Sequence, residues 1–197
     1  VDSRRGLLAR LAPAALALGT MALLLAPGPT AAFRHSGIGA GRVAPADLAS
    51  PNQTEDWLRE QRRSVLWEAE GRESSVALLG STGLAFAVNG KVDGHSRHDA
   101  GTQVMSGLLG ALLHPRPRRI LVVGLGTGST AGWLADVPGV ERVDVVELEP
   151  AVAEVARRCA PVNRNALQNP RLRLFFGDAR EHLLVTRERY DLVVSEP

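Results

Sequence analysis

Apolar and polar positions fall into three regimes along the chain. Residues 7–26 (LLARLAPAALALGTMALLLA) are almost wholly apolar, and the uninterrupted stretch from Leu11 to Pro27 spans 17 residues. That is near the lower limit of roughly 17–25 for a bilayer-crossing helix. Residues 64–93 alternate with period two and are cut by Gly71, Gly80-Ser81-Thr82-Gly83 and Asn89-Gly90. This predicts a β-meander of three strands, at 64–70, 75–79 and 84–88. A helix is predicted over Gln103–Leu113, stopped by His114-Pro115-Arg116-Pro117. Beyond it, short apolar runs alternate with helical patterns: Ile120–Val123, Arg142–Glu147, Leu172–Phe176 and Asp191–Val194 read as strands. Continuous apolar strands of that kind are buried in parallel sheets.

The predicted fold class is therefore α/β. A Rossmann-like sheet with right-handed crossovers is preceded by a small antiparallel meander and an N-terminal hydrophobic helix. The expected division is 1–31 hydrophobic helix, 32–63 linker rich in Gly, Ala, Pro and Ser, 64–93 meander, and 94–197 nucleoside-binding domain. Because the chain starts at Val1 and stops after a strand-like run, it reads as a fragment whose sheet is completed by later strands. Three readings of the apolar N-terminal segment compete: a secretory signal peptide, a transmembrane helix and a buried soluble helix. The transmembrane reading is preferred for a chain that begins mid-protein. It places the protein at a membrane, held through that helix, with the catalytic domain facing the cytoplasm, although the flanking arginines do not fix an orientation.

Composition narrows the function. The 23 basic and 21 acidic residues leave a net charge of +2 with no basic stripe, so nucleic-acid binding has no electrostatic support. Lys91 is the one lysine, and the one cysteine, Cys159, lacks the partners of a metal cluster, so no metal is expected.

The candidate chemistry lies at the strand tips. Gly124, Gly126 and Gly128 follow the first strand of the sheet, where glycine permits a tight turn and close approach of a ligand. Glu147 ends the second strand, where a carboxylate can accept hydrogen bonds from ribose hydroxyls. Asp178 and Ala179 follow the third strand, and Glu196 follows the fourth. An acid at position 178 can accept the exocyclic amine of an adenine. Each acid taken singly is also an ordinary helix cap. Gly126–Ala131 satisfies the dinucleotide pattern G-x-G-x-x-A, so an NAD site remains an alternative.

As a set, Val88-Asn89-Gly90-Lys91, Leu112-Leu113-His114-Pro115, the glycine loop, Val146-Glu147-Leu148-Glu149-Pro150, Gly177-Asp178-Ala179 and Tyr190-Asp191-Leu192-Val193-Val194 resemble the spermidine/spermine synthase family, over about residues 64–197. The likeness is to its membrane-fused branch. The resemblance implies a class I methyltransferase fold and transfer of an aminopropyl group from decarboxylated S-adenosylmethionine to a small-molecule amine. By it, Glu147 holds the ribose, Asp178 with Ala179 the adenine, and Glu196 stands where the family has its catalytic Asp. A homodimer is also left open. The sequence departs from the family at the amine site: Thr127 stands for an Asp, Gln103 for a His, and Ser74 or Ser75 for a Gln. The alternatives are a methyltransferase using S-adenosylmethionine and a non-catalytic, membrane-tethered nucleoside-binding domain.

Overall fold

The computed structural model describes residues 2–25, 31, 34–37, 42–80 and 82–195. The chain divides into two units, residues 1–31 and 32–197. The first is helix α1, Asp2–Leu25. It corrects the membrane expectation: among the described residues no helix is long and apolar enough to cross a membrane. The sequence carries arginine at 4, 5 and 10, so the uncharged part of α1 runs only from Leu11 to Leu25. Fifteen helical residues rise about 22 Å, short of the roughly 30 Å hydrocarbon core. The transmembrane anchor and the membrane location inferred from it are withdrawn.

Within the second unit, a 3-10 turn at Pro45–Leu48 leads to helix α2, Pro51–Ser64. Ser50 caps α2 by accepting a hydrogen bond from the Gln53 amide, and Pro51 sits in its first turn, where its missing N–H costs nothing. Trp57 is its buried residue.

The meander has four strands rather than three: β1 Val65–Glu70, β2 Ser75–Gly80, β3 Leu84–Val88 and β4 Lys91–His95, paired antiparallel in that order. Asn89 and Gly90 both have left-handed backbones (φ 48° and 79°), a tight two-residue turn that returns the chain at once. Three of the five residues in β4, Lys91, Val92 and Asp93, are exposed, which is why apolar alternation does not reveal the strand.

Helix α3 runs Ala100–Leu113, starting three residues earlier than predicted, and ends where expected. The second sheet contains β5 Arg119–Val123, β6 Arg142–Glu147, β7 Leu172–Phe176 and β8 Leu192–Ser195, all parallel in the order β7-β6-β5-β8. Helices α4 Ser129–Ala135, α5 Val152–Arg158 and α6 Ala179–Val185 connect them. This is the predicted Rossmann-like arrangement. The chain reverses direction beside β5, and in such sheets ligands bind at the carboxyl ends of the strands around that reversal. Ile120, Leu121, Val122, Val143 and Val145 are essentially inaccessible, and all of them but Leu121 form one core with Val76, Leu78 and Phe86 of the meander. The meander is therefore packed on the sheet. It buries one face, as three or four short strands must to be stable.

Candidate functional site

A cavity of about 350 Å³ opens where the meander meets the carboxyl ends of β5 and β6. Its walls include Glu73 and Ser74 from the β1–β2 turn, Asp93 and Gly94 from β4, Gln103 from α3, residues 124–127 of the glycine loop, and Glu147 to Glu149 after β6. A second cavity, about 320 Å³, lies along the same edge and is lined by Gly124, Glu147, Leu148 and residues 177–180. The two share Gly124, Glu147 and Leu148.

The glycine loop has the shape its residues require. Gly124, Gly126 and Gly128 have φ of 91°, 50° and 78°, a region side chains rarely adopt. At Gly126 a Cβ would meet nothing within 4 Å, so conformation alone demands glycine there. At Gly128 it would also approach Asn163 Nδ2 to 2.9 Å.

Glu147 is buried at the tip of β6, and its carboxylate is already held by main-chain donors. Oε2 accepts from the Leu125 amide at 2.7 Å and Oε1 from the Glu149 amide at 2.9 Å. Its orientation is fixed by these two bonds, and the residue lines both cavities. Gln103 and Thr127 are brought together: Thr127 Oγ1 donates to Gln103 Oε1 at 2.5 Å and, its one hydrogen so used, accepts from Ser129 Oγ at 2.9 Å. This corner of the cavity is thus neutral. Asp93 supplies a carboxylate nearby, at a bulge where the β3–β4 register passes from Gly94 directly to Val92. Bulges re-aim side chains in this way. Asp93 also pairs with Lys91 at 2.5 Å.

Asp178 and Ala179 line the second cavity, so only Glu147 and Gly124 of the predicted nucleoside residues touch both. The Asp178 carboxylate caps α6 through the Arg180 amide at 2.7 Å and pairs with the Arg180 guanidinium at 2.6 Å. That guanidinium, with the amide, holds its pKa down to about 2. This acid is thus a helix cap that also lines the cavity. Glu196 lies outside the described residues.

Two residues at the site take roles that the sequence reading did not assign. Asn163 is fully buried and donates from Nδ2 to the carbonyls of Thr127 (2.8 Å) and Ala156 (2.7 Å), while its Oδ1 accepts from the Ala166 amide at 3.1 Å. It ties the glycine loop to α5. Glu149 reaches across to the β1–β2 turn, accepting from the amides of Glu73 (2.8 Å) and Ser74 (3.3 Å) as well as Ala151 (2.9 Å). Burial opposes its charge, but these amides outweigh burial and keep its pKa below the ordinary carboxylate value. Among the described residues, no group of three or more His, Cys, Asp or Glu is placed to hold a metal ion.

Residues 101–196 match the family model described as the spermine/spermidine synthase domain. The chain is 37% identical over 85 residues to a polyamine aminopropyltransferase of Thermococcus onnurineus, and 34% identical over 84 residues to one of Agathobacter rectalis. Each alignment covers 43% of this chain and 30% of the relative, so the chain matches about a third of those proteins' length. Both relatives are transferases by name. In fold, the chain is similar to the crystal structure of spermidine synthase from Thermotoga maritima, with a TM-score of 0.62 at 19% identity over 68% of this chain and 48% of that one.

Proposed function

We propose that this chain provides the nucleoside-binding part of an aminopropyltransferase. It would take decarboxylated S-adenosylmethionine as donor and a small-molecule amine as acceptor. The observation that carries this reading is the position of Glu147: pinned by two amides at the strand tip, it is shared by two adjoining cavities along the edge where α/β sheets bind ligands. A nucleoside laid along that edge puts its ribose over Glu147 and its base towards Asp178 and Ala179. The match of residues 101–196 to the spermine/spermidine synthase domain supports this choice over a dinucleotide site.

In the proposed reaction the acceptor nitrogen attacks the carbon next to the sulfonium, forming a C–N bond as the C–S bond breaks. The electron pair stays on sulfur, which leaves as methylthioadenosine, and the nitrogen's proton passes to a base. Glu196 is the candidate base. The protein's work is alignment, exclusion of water and proton transfer. The neutral Gln103–Thr127 pair makes this acceptor end less anionic than the resemblance implies, which favours an acceptor of low charge. That same observation supports a second reading, methyl transfer from S-adenosylmethionine to a neutral acceptor.

Calorimetric titration of the full protein with decarboxylated S-adenosylmethionine, S-adenosylmethionine and NADH separates the readings. Preference for the decarboxylated donor is expected. Preference for the intact donor moves the assignment to methyl transfer, and binding of NADH alone overturns both.

A further inference from the structure

One carboxylate at the strand edge, Glu149, hydrogen-bonds the β1–β2 turn of the meander. Glu149 is only 5% exposed, and its Oε2 accepts from two successive amides of the β1–β2 turn, Glu73 and Ser74, some 75 residues earlier in the chain. The turn closes on itself through Gly71 N to Ser74 O at 2.9 Å, which presents those amides side by side. Glycine at 71 is required by contact rather than by backbone angle. A Cβ there would lie 2.2 Å from the Glu149 carboxyl carbon and one of its oxygens.

The same residue also touches the proposed ribose-binding acid from the other side. The Glu149 amide donates to Glu147 Oε1. A continuous path thus runs from the turn amides, through the Glu149 side chain and peptide, to Glu147. Glu73 and Ser74 in turn form one wall of the 350 Å³ cavity.

We infer that Glu149 is a positioning residue that docks the 71–74 turn over the nucleoside cavity, so that the turn forms one wall of the bound-donor site while Glu147 is held in register. The inference rests on reading that cavity as the nucleoside site. A buried carboxylate accepting two adjacent amides fixes a turn much more firmly than neutral contacts do, because charge-assisted hydrogen bonds are roughly twice as strong as neutral ones. In Glu149→Gln one oxygen becomes an NH2 group, which cannot accept from an amide. Gly71→Ala keeps the Glu149 carboxylate chemically intact and forces it and the turn apart by contact.

The test compares the full protein with these two variants by amide hydrogen exchange, by titration with methylthioadenosine and by thermal unfolding. Faster exchange at Glu73 and Ser74 in both variants is expected, with the β5 and β6 amides unchanged, together with about tenfold weaker methylthioadenosine binding. Unaltered exchange at 73 and 74 in Gly71→Ala would overturn the inference, as would faster exchange there with binding unchanged. A merely stabilising role would lower the unfolding temperature without a selective loss of binding. If the unmodified protein fails to bind methylthioadenosine, the proposed function falls, and the exchange comparison still decides whether Glu149 holds the turn.

Discussion

Asn163→Ala is expected to cost about 3–5 kcal/mol, far more than an average substitution. The side chain has no solvent exposure and makes three hydrogen bonds: two donated to the carbonyls of Thr127 and Ala156, one accepted from the Ala166 amide. Each is worth about 1 kcal/mol net, and the lost volume and the stranded buried partners add up to about 2 kcal/mol more. Against a total stability of about 5–15 kcal/mol this is a large fraction. In a unit spanning residues 32–197 it lowers Tm by roughly 6–20 °C. Asn163→Asp keeps the shape yet loses both donors and buries a charge against two carbonyl oxygens, so it must be worse than alanine. Urea unfolding followed by tryptophan fluorescence reads both variants. A cost under 1 kcal/mol for alanine, or an aspartate variant as stable as the alanine one, would refute the reasoning. An independent check is Gly132→Ala. In an open helix alanine gains about 1 kcal/mol over glycine, but here its Cβ would sit against the Asn163 carbonyl oxygen at 1.9 Å. A net loss is expected.

Three further outcomes follow from the geometry. Glu147→Gln should weaken methylthioadenosine binding tenfold or more by calorimetry, since one of its two pinned oxygens becomes a donor facing an amide N–H. Tyr190 donates to Asp144, a carboxylate 1% exposed, at 2.9 Å. Burial, with Asp144, pushes the tyrosine pKa from 10 up to about 12. This raised value stabilises the fold fully below pH 10 and is lost as pH climbs from 10 towards 12. Tyr190→Phe should flatten that part of a stability–pH curve while lowering stability at neutral pH. Burial pushes the Cys159 thiol up to about 11, so iodoacetamide at pH 8 should label it only on unfolding, and a Cys159→Ala background isolates the tyrosine effect.

The features legible in the order of residues are local in origin. Four apolar runs, a glycine loop whose residues need left-handed backbones, and acids at the strand tips are short-range signals, and the parallel sheet follows from the apolar runs. Strand β4 escaped because Lys91, Val92 and Asp93 are exposed, so no alternation marks it. The Asn89-Gly90 turn that creates it was legible, but its consequence was not. The membrane expectation failed on length, since fifteen uncharged helical residues fall short of a bilayer.

Tertiary structure alone decided which polar groups meet. Glu149 finds amides about 75 residues away, Asn163 finds the Thr127 carbonyl 36 residues away, and Gln103 is set against Thr127 across 24. Such pairings leave no periodic trace, because a buried donor or acceptor must be satisfied by whatever partner the packed elements bring within 3 Å. Sequence spacing says only which group will need one.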